Sequence, residues 1–270
     1  MSNKAKKTET EIPIELDKKL TGDSCAHLIS GIVKYVMLQK CQIPLAFDQL
    51  VKYSQHSQTE KKHMTMITNF IKSMKTMSDK LVEEFNPNQC RVKEIIILFG
   101  ATIFSPKLCI KIEIPLEILD SERHTCDEHK KGQPLLTVMS SIFQCPEFQD
   151  EMALPLGLTN TFILLHKDDP RGISEFFVPK PQFSVPSHKT TTFHIKLEYT
   201  VDILDDCKCG RRVPVCRDGV RKFFTHQISY LFRNQDHDSE DVTKKNKFNS
   251  DLPLNLAWYQ SKEVFKGFKL

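Results

Sequence analysis

Two stretches of the chain collect side chains that hold metals or act as nucleophiles. The first, Asp120 to Gly132, carries His124, Cys126, Asp127, Glu128 and His129. Zinc takes cysteine and histidine ligands at recurring separations, and no pair here has one of them, so a solvated charged loop is expected. The second opens with Cys207-Lys208-Cys209-Gly210-Arg211-Arg212 and adds Cys216 and His226, at separations of two, seven and ten residues. This is not the spacing of a standard zinc knuckle, and no metal is expected there either. Its arginines offer charge to nucleic acid, but no basic stripe interleaved with aromatics accompanies them. The nine glycines do not cluster into a phosphate-cradling loop, and neither an HExxH nor a nucleophile elbow is present. A Cys-His nucleophile pair forms in space rather than in sequence, and nothing marks one. No catalytic residue and no cofactor are expected, so the chain is read as a non-enzyme.

The elements that position side chains must therefore carry the function. The chain has 270 residues, 40% hydrophobic and 27% charged, enough for a core of ordinary size. Its net charge of +4 is spread along the chain, which argues against a nucleic-acid binder. Met1–Thr10 is polar and lysine-rich without an apolar segment, so no secretory signal is expected. Without export, the nine scattered cysteines are expected to be free thiols in a reducing compartment. No apolar run approaches the ~18 residues of a membrane helix.

The chain is organised around Val92–Pro115. Ile95 to Phe99 is uninterrupted apolar sequence and predicts a strand buried on both faces. After Gly100 and Ser105-Pro106, the run from Leu108 to Ile114 alternates: Leu108, Ile110, Ile112 and Ile114 face one way, and Cys109, Lys111 and Glu113 the other. Upstream, residues 1–19 are mixed in charge and are expected to form a flexible tail. A first helix should start at Thr21-Gly22-Asp23, with Cys25, Leu28, Ile29, Ile32, Val33 and Val36 in one stripe. At ~100° per residue Gln39 falls almost in line with Ile32, either as a satisfied core amide or as part of a docking face. A short helix is expected over Pro44–Tyr53. A long one is expected from Met64 to Phe85.

Pro134 should open a further helix with Leu135, Val138, Met139, Ile142 and Phe143 on one arc, ended by Cys145-Pro146. Thr159–His166 and Thr191–Ile203 predict strands. Prolines 179, 181 and 186 predict an extended surface segment between them. Residues of about 205–251 differ in composition and are expected to be a flexible insertion, with alternating Phe224–Phe232 as a strand or hairpin arm. The closing stretch holds Trp258, Tyr259, Phe265 and Phe268 and should fold onto the core. Helices and strands are segregated, which argues α+β and one domain over 20–270.

Three blocks, KYVMLQKCQIPLAFDQL (34–50), EIIILFGATIFSPK (94–107) and WYQSKEVFKGFKL (258–270), together resemble the comet family of the spindle checkpoint. The similarity covers most of residues 23–203 and 252–270 and leaves out the Cys/Arg-rich insertion. It implies a HORMA-like fold: three helices on a mainly antiparallel sheet, with a C-terminal belt. It also implies a non-catalytic adaptor that binds the closed conformer of the checkpoint protein Mad-two in a pseudo-symmetric heterodimer. The adaptor presents that conformer to a Pch-type AAA+ ATPase, so that the mitotic checkpoint complex comes apart. By the same resemblance, Tyr35, Gln39, Met139 and Phe143 face Mad-two, with Met139 where the family has an aromatic. Pro179 and Lys180 face the ATPase. Trp258, Phe265, Lys266, Gly267 and Phe268 form a belt that fills the chain's own groove. The implied location is nucleus and cytoplasm, with spindle or kinetochore in mitosis. The alternative is a HORMA-type module for peptide or chromatin whose basic, Cys-rich insertion contacts nucleic acid or zinc.

Overall fold

The computed structural model describes residues 9–56, 61–86, 90–115, 117–119, 121, 132–170, 172, 174–186, 190–200, 214–217, 220–223 and 255–269. The chain divides into two units, Met1–Ile203 with Asn255–Leu270, and Leu204–Leu254. In the first unit the elements run β1 (Glu9–Leu16), α1 (Gly22–Gln39), α2 (Phe47–His56), α3 (Lys61–Glu84), β2 (Arg91–Gly100), β3 (Pro106–Glu113), α4 (Gln133–Phe143), α5 (Pro146–Ala153), β4 (Asn160–Asp168), β5 (Phe177–Pro179) and β6 (Thr191–Tyr199). The second unit shows β7 (Pro214–Arg217) and β8 (Val220–Phe223), an antiparallel hairpin; Cys216 lies on β7. The other proposed zinc ligands, His124 to His129 and Cys207, Cys209 and His226, lie outside the described residues, as does Phe224–Phe232. The first unit closes with β9 (Leu256–Ser261) and β10 (Phe265–Lys266).

The sheet runs in the order β1-β6-β3-β2-β4-β9-β5, with β10 also on β4. Only β1 with β6 and β3 with β6 pair in parallel in it. β2 sits at its centre between β3 and β4, as the two-sided apolar run requires. Ile95, Ile97 and Phe99 point into the larger core with the inward stripe of α1 and with Ile67, Met74 and Leu81 of α3. Ile96 and Leu98 point the other way and join Cys109, Phe162, Leu164, Ile103 and Phe183 in a second layer. The alternation of β3 is as expected: its isoleucines enter the larger core and Cys109 the smaller. Burial there pushes the Cys109 thiol up to about 12.

Three expectations need correction. Residues 1–19 are not a tail from Glu9 onward. Ile12, Ile14 and Leu16 alternate with Glu11, Pro13 and Glu15, and the apolar set is buried in the core while β1 closes the edge of the sheet. Charged residues and a proline on such a strand keep its free edge from pairing with another chain. The described residues hold five helices, one more than the four the residue pattern predicts, because Pro146 starts a new helix, α5, instead of only ending α4. Phe148 and Met152, one turn apart, give α5 its buried side. The second helix begins at Phe47, not Pro44, since Leu50 makes its helical bond to Ala46 and residues 40–43 are held elsewhere.

Candidate docking face and chain end

Helix α1 is capped by Thr21, whose hydroxyl accepts from Ser24 N–H while the Ser24 hydroxyl accepts from Thr21 N–H. It buries Leu28, Ile29, Ile32, Val33, Val36 and Met37 against the sheet. The adjoining flank of α1 meets α4. A Cβ at Gly31 would lie 2.7 Å from the Leu135 methyls, so glycine there lets the two helices close up. Gly31, Tyr35 and Gln39 are spaced by four on α1, and Leu135, Met139 and Phe143 are spaced by four on α4. These are the ridges along which helices interlock. The rings of Tyr35 and Phe143 meet edge to face, with centroids 5.3 Å apart. Burial raises the Tyr35 phenol above its ordinary pKa, partly offset by a hydrogen bond with Gln149 of α5.

Above this seam α4 keeps an apolar outer side. Phe143 is 51% exposed and Leu136 72%, and Tyr35 and Met139 are half-buried. Gln39 is exposed, so it is not a core glutamine. Gln39 nearly repeats the angle of Ile32, yet at this end of α1 the buried positions are Val36, Met37 and, just past the helix, Lys40. No buried-amide penalty therefore applies to it. The structure brings Tyr35 and Phe143 into contact and sets Met139 on the same ridge as Phe143.

Sequence reasoning missed the residues beneath this end of α1. Lys40 is fully buried; its ammonium bonds the Glu151 carboxylate at 2.6 Å, the Leu154 carbonyl at 3.0 Å and the Glu151 carbonyl. A cation at the carboxyl end of α5 satisfies carbonyls that the helix leaves open. Gln42 is fully buried as well, and no local signal separates these two from surface residues.

Pro179 ends β5, at the outer edge of the sheet, and is exposed; Lys180 is half-buried. Lys180 N–H donates to the Trp258 carbonyl at 2.7 Å, so the backbone of this pair is pinned to β9. The chain end folds back along β4. Leu256 to Gln260 pair with Asp168 to Leu164, and Phe265 and Lys266 pair with Thr161 and Asn160. Phe265 and Phe268 are buried, with ring centroids 6.0 and 5.6 Å from Phe70 of α3. Lys266 is exposed. Trp258 turns to the opposite layer. There it stacks on His166 at 4.5 Å, and His166 bonds Glu94, whose other oxygen meets Lys111 at 2.7 Å. Among the described residues no group of three His, Cys, Asp or Glu could hold a metal, and no helix is long and apolar enough to cross a membrane.

The model of the p31comet family, described as Mad1 and Cdc20-bound-Mad2 binding, matches residues 2–197. The chain belongs to the p31comet family. Its α+β architecture is the HORMA-like fold of that family. No curated protein matches the chain. The family is one of binding proteins, and its partner by description is the Mad2 that Mad1 or Cdc20 has engaged.

Proposed function

We propose that this protein is a non-catalytic adaptor that docks the closed conformer of Mad2 on the α1–α4 face. It presents that conformer to a Pch-type AAA+ ATPase through Pro179 and Lys180. The observation that carries this is the exposed apolar ridge of Leu136 and Phe143, with Tyr35 against Phe143 and exposed Gln39 one turn further along α1, in a chain whose family is described as Mad2-binding. Large apolar side chains left on one helix face, with a polar residue at the rim, have the make-up of a docking patch. Such interfaces bury ~1,600 Å² in total and depend on a few central residues. Opening of Mad2 by the ATPase would take apart the mitotic checkpoint complex and silence the checkpoint. This role places the protein in nucleus and cytoplasm, and at spindle or kinetochore in mitosis. Its own C-terminal segment, with Phe265 and Phe268 packed on α3, fills the position in which a captured peptide would otherwise lie. The test is the double variant Gln39→Ala with Met139→Ala. It is expected to weaken binding to closed Mad2 by at least about tenfold while the domain stays folded. Full binding by the double variant would remove the assigned face.

A further inference from the structure

The carboxyl end of α1 closes in a conformation that few residues adopt. Cys41 has φ of 54°, the left-handed region that usually takes glycine at this position. Cys41 N–H donates to the Leu38 carbonyl at 3.0 Å and Gln42 N–H to the Met37 carbonyl at 2.8 Å, the pair of bonds that reverses a chain leaving a helix. A strained non-glycine residue persists where its surroundings fix it.

The surroundings here centre on Gln42. Its side-chain amide donates to the carbonyls of Lys40 at 2.9 Å, Leu156 at 3.1 Å and Gly157 at 3.3 Å, and its Oε1 accepts from Thr159 N–H at 2.8 Å. Its backbone carbonyl accepts from Phe268 N–H at 2.8 Å. Gly267 N–H donates to the Thr159 carbonyl at 2.9 Å, closing the ring of contacts. A Cβ on Gly267 would stand 2.5 Å from Gln42 Oε1 and displace it from Thr159. One buried residue thus joins the end of α1 and the 156–159 loop through its side-chain amide, and the chain's C-terminal segment through its backbone carbonyl and the tight fit of Gly267 against Oε1. Gln39 stands three residues before it.

We propose that Gln42 is a positioning residue that couples the C-terminal segment to the Mad2-docking face by fixing where the last turn of α1, and so Gln39, stands. This inference rests on the docking face proposed above. A chain end that is seated presents the face, and one that is loosened leaves Gln39 misplaced.

The experiment is a double-mutant cycle read by titration with closed Mad2. Gln42→Met keeps the bulk of the side chain and removes every amide bond; Gly267→Ala displaces the amide from the other side. Each is expected to weaken binding about tenfold on its own. Each is expected to weaken it little further in a Gln39→Ala background, because both act through Gln39. Ile96→Ala in β2, which lowers stability from the smaller layer on the other side of the sheet, is expected to leave the affinity unchanged. Retained affinity in Gln42→Met, losses that simply add to that of Gln39→Ala, or an equal loss in Ile96→Ala would overturn the coupling. If Gln39→Ala itself changes nothing, the docking face is misassigned and the coupling falls with it, an outcome separable from the others by that single variant. If Gly267→Ala does not fold, Gln42→Met alone decides.

Discussion

Lys167 shows how much one side chain can hold in this molecule. It is fully buried, with its ammonium 2.5 Å from the Glu84 carboxylate, 2.9 Å from that of Asp169 and 4.6 Å from the centre of the Tyr259 ring. It lines a cleft of about 470 Å³ with both carboxylates. Burial works against its charge, but the bonds to Glu84 and Asp169 outweigh that and hold its pKa above the ordinary lysine value. A raised folded-state pKa stabilises fully below the unfolded lysine's ~10.4 and is lost as pH climbs through the folded value. Lys167 should therefore contribute equally at pH 6 and pH 8 and fail only in alkali. Lys167→Met takes the cation away from two largely buried carboxylates, leaving Asp169 with Gly172 N–H and Glu84 with the Cys90 thiol, and should lower unfolding stability by about 3–5 kcal/mol in urea titrations. A variant as stable as the parent would mean that the carboxylates find other partners. At the sheet's edge Lys180 has its backbone tied to Trp258, so a change there should act through its side chain alone. Lys180→Glu is expected to spare Mad2 binding and stop ATPase-driven opening in a reconstituted assay. Unchanged opening kinetics would remove the site.

Among the elements, β1 is the one whose weight is least apparent from its surroundings in sequence. Ile14 is 3% exposed and sits opposite Leu197 of β6. Ile14→Ala should cost about 2–5 kcal/mol, as large-to-small changes in a packed core do, and a thermal melt would show it. A cost near zero would mean that β1 frays from the sheet. Its alternation, EIPIEL, is short and follows a lysine-rich flank, and the strand that buries it, β6, lies far along the chain, so no local pattern marks it as core. Helices α1 and α3 and strands β2 and β3 were legible because their periodicity is local and long enough to be unambiguous. Helix α5, eight residues long, offers only one i, i+4 pair. The ridge of Tyr35, Met139 and Phe143 came from resemblance rather than from spacing, and the structure supplies what spacing lacked, a contact between Tyr35 and Phe143. Gln39 shows the limit of angular reasoning: an angle close to that of buried Ile32 leaves it exposed, while Lys40 beside it is buried. Lys40 and Gln42 were invisible because their burial depends on carbonyls more than 100 residues away.

At the scale of the whole molecule, one face of the sheet carries the helices and a smaller apolar layer covers the other. The chain end lies along β4 between them, with Trp258 and Phe265 reaching opposite layers. The C-terminal segment completes this sheet through β9 and β10, and on the proposed function the α1–α4 seam is what meets the partner. A partner recognised by that seam must present a complementary apolar surface, and only one conformer of Mad2 is expected to do so. The direct measurement is a pair of titrations of this protein, one with Mad2 locked closed and one with Mad2 locked open. Saturable binding to the closed form, with the open form weaker by more than about tenfold, is the predicted result; equal affinity for the two forms, or binding to the open form alone, would contradict it.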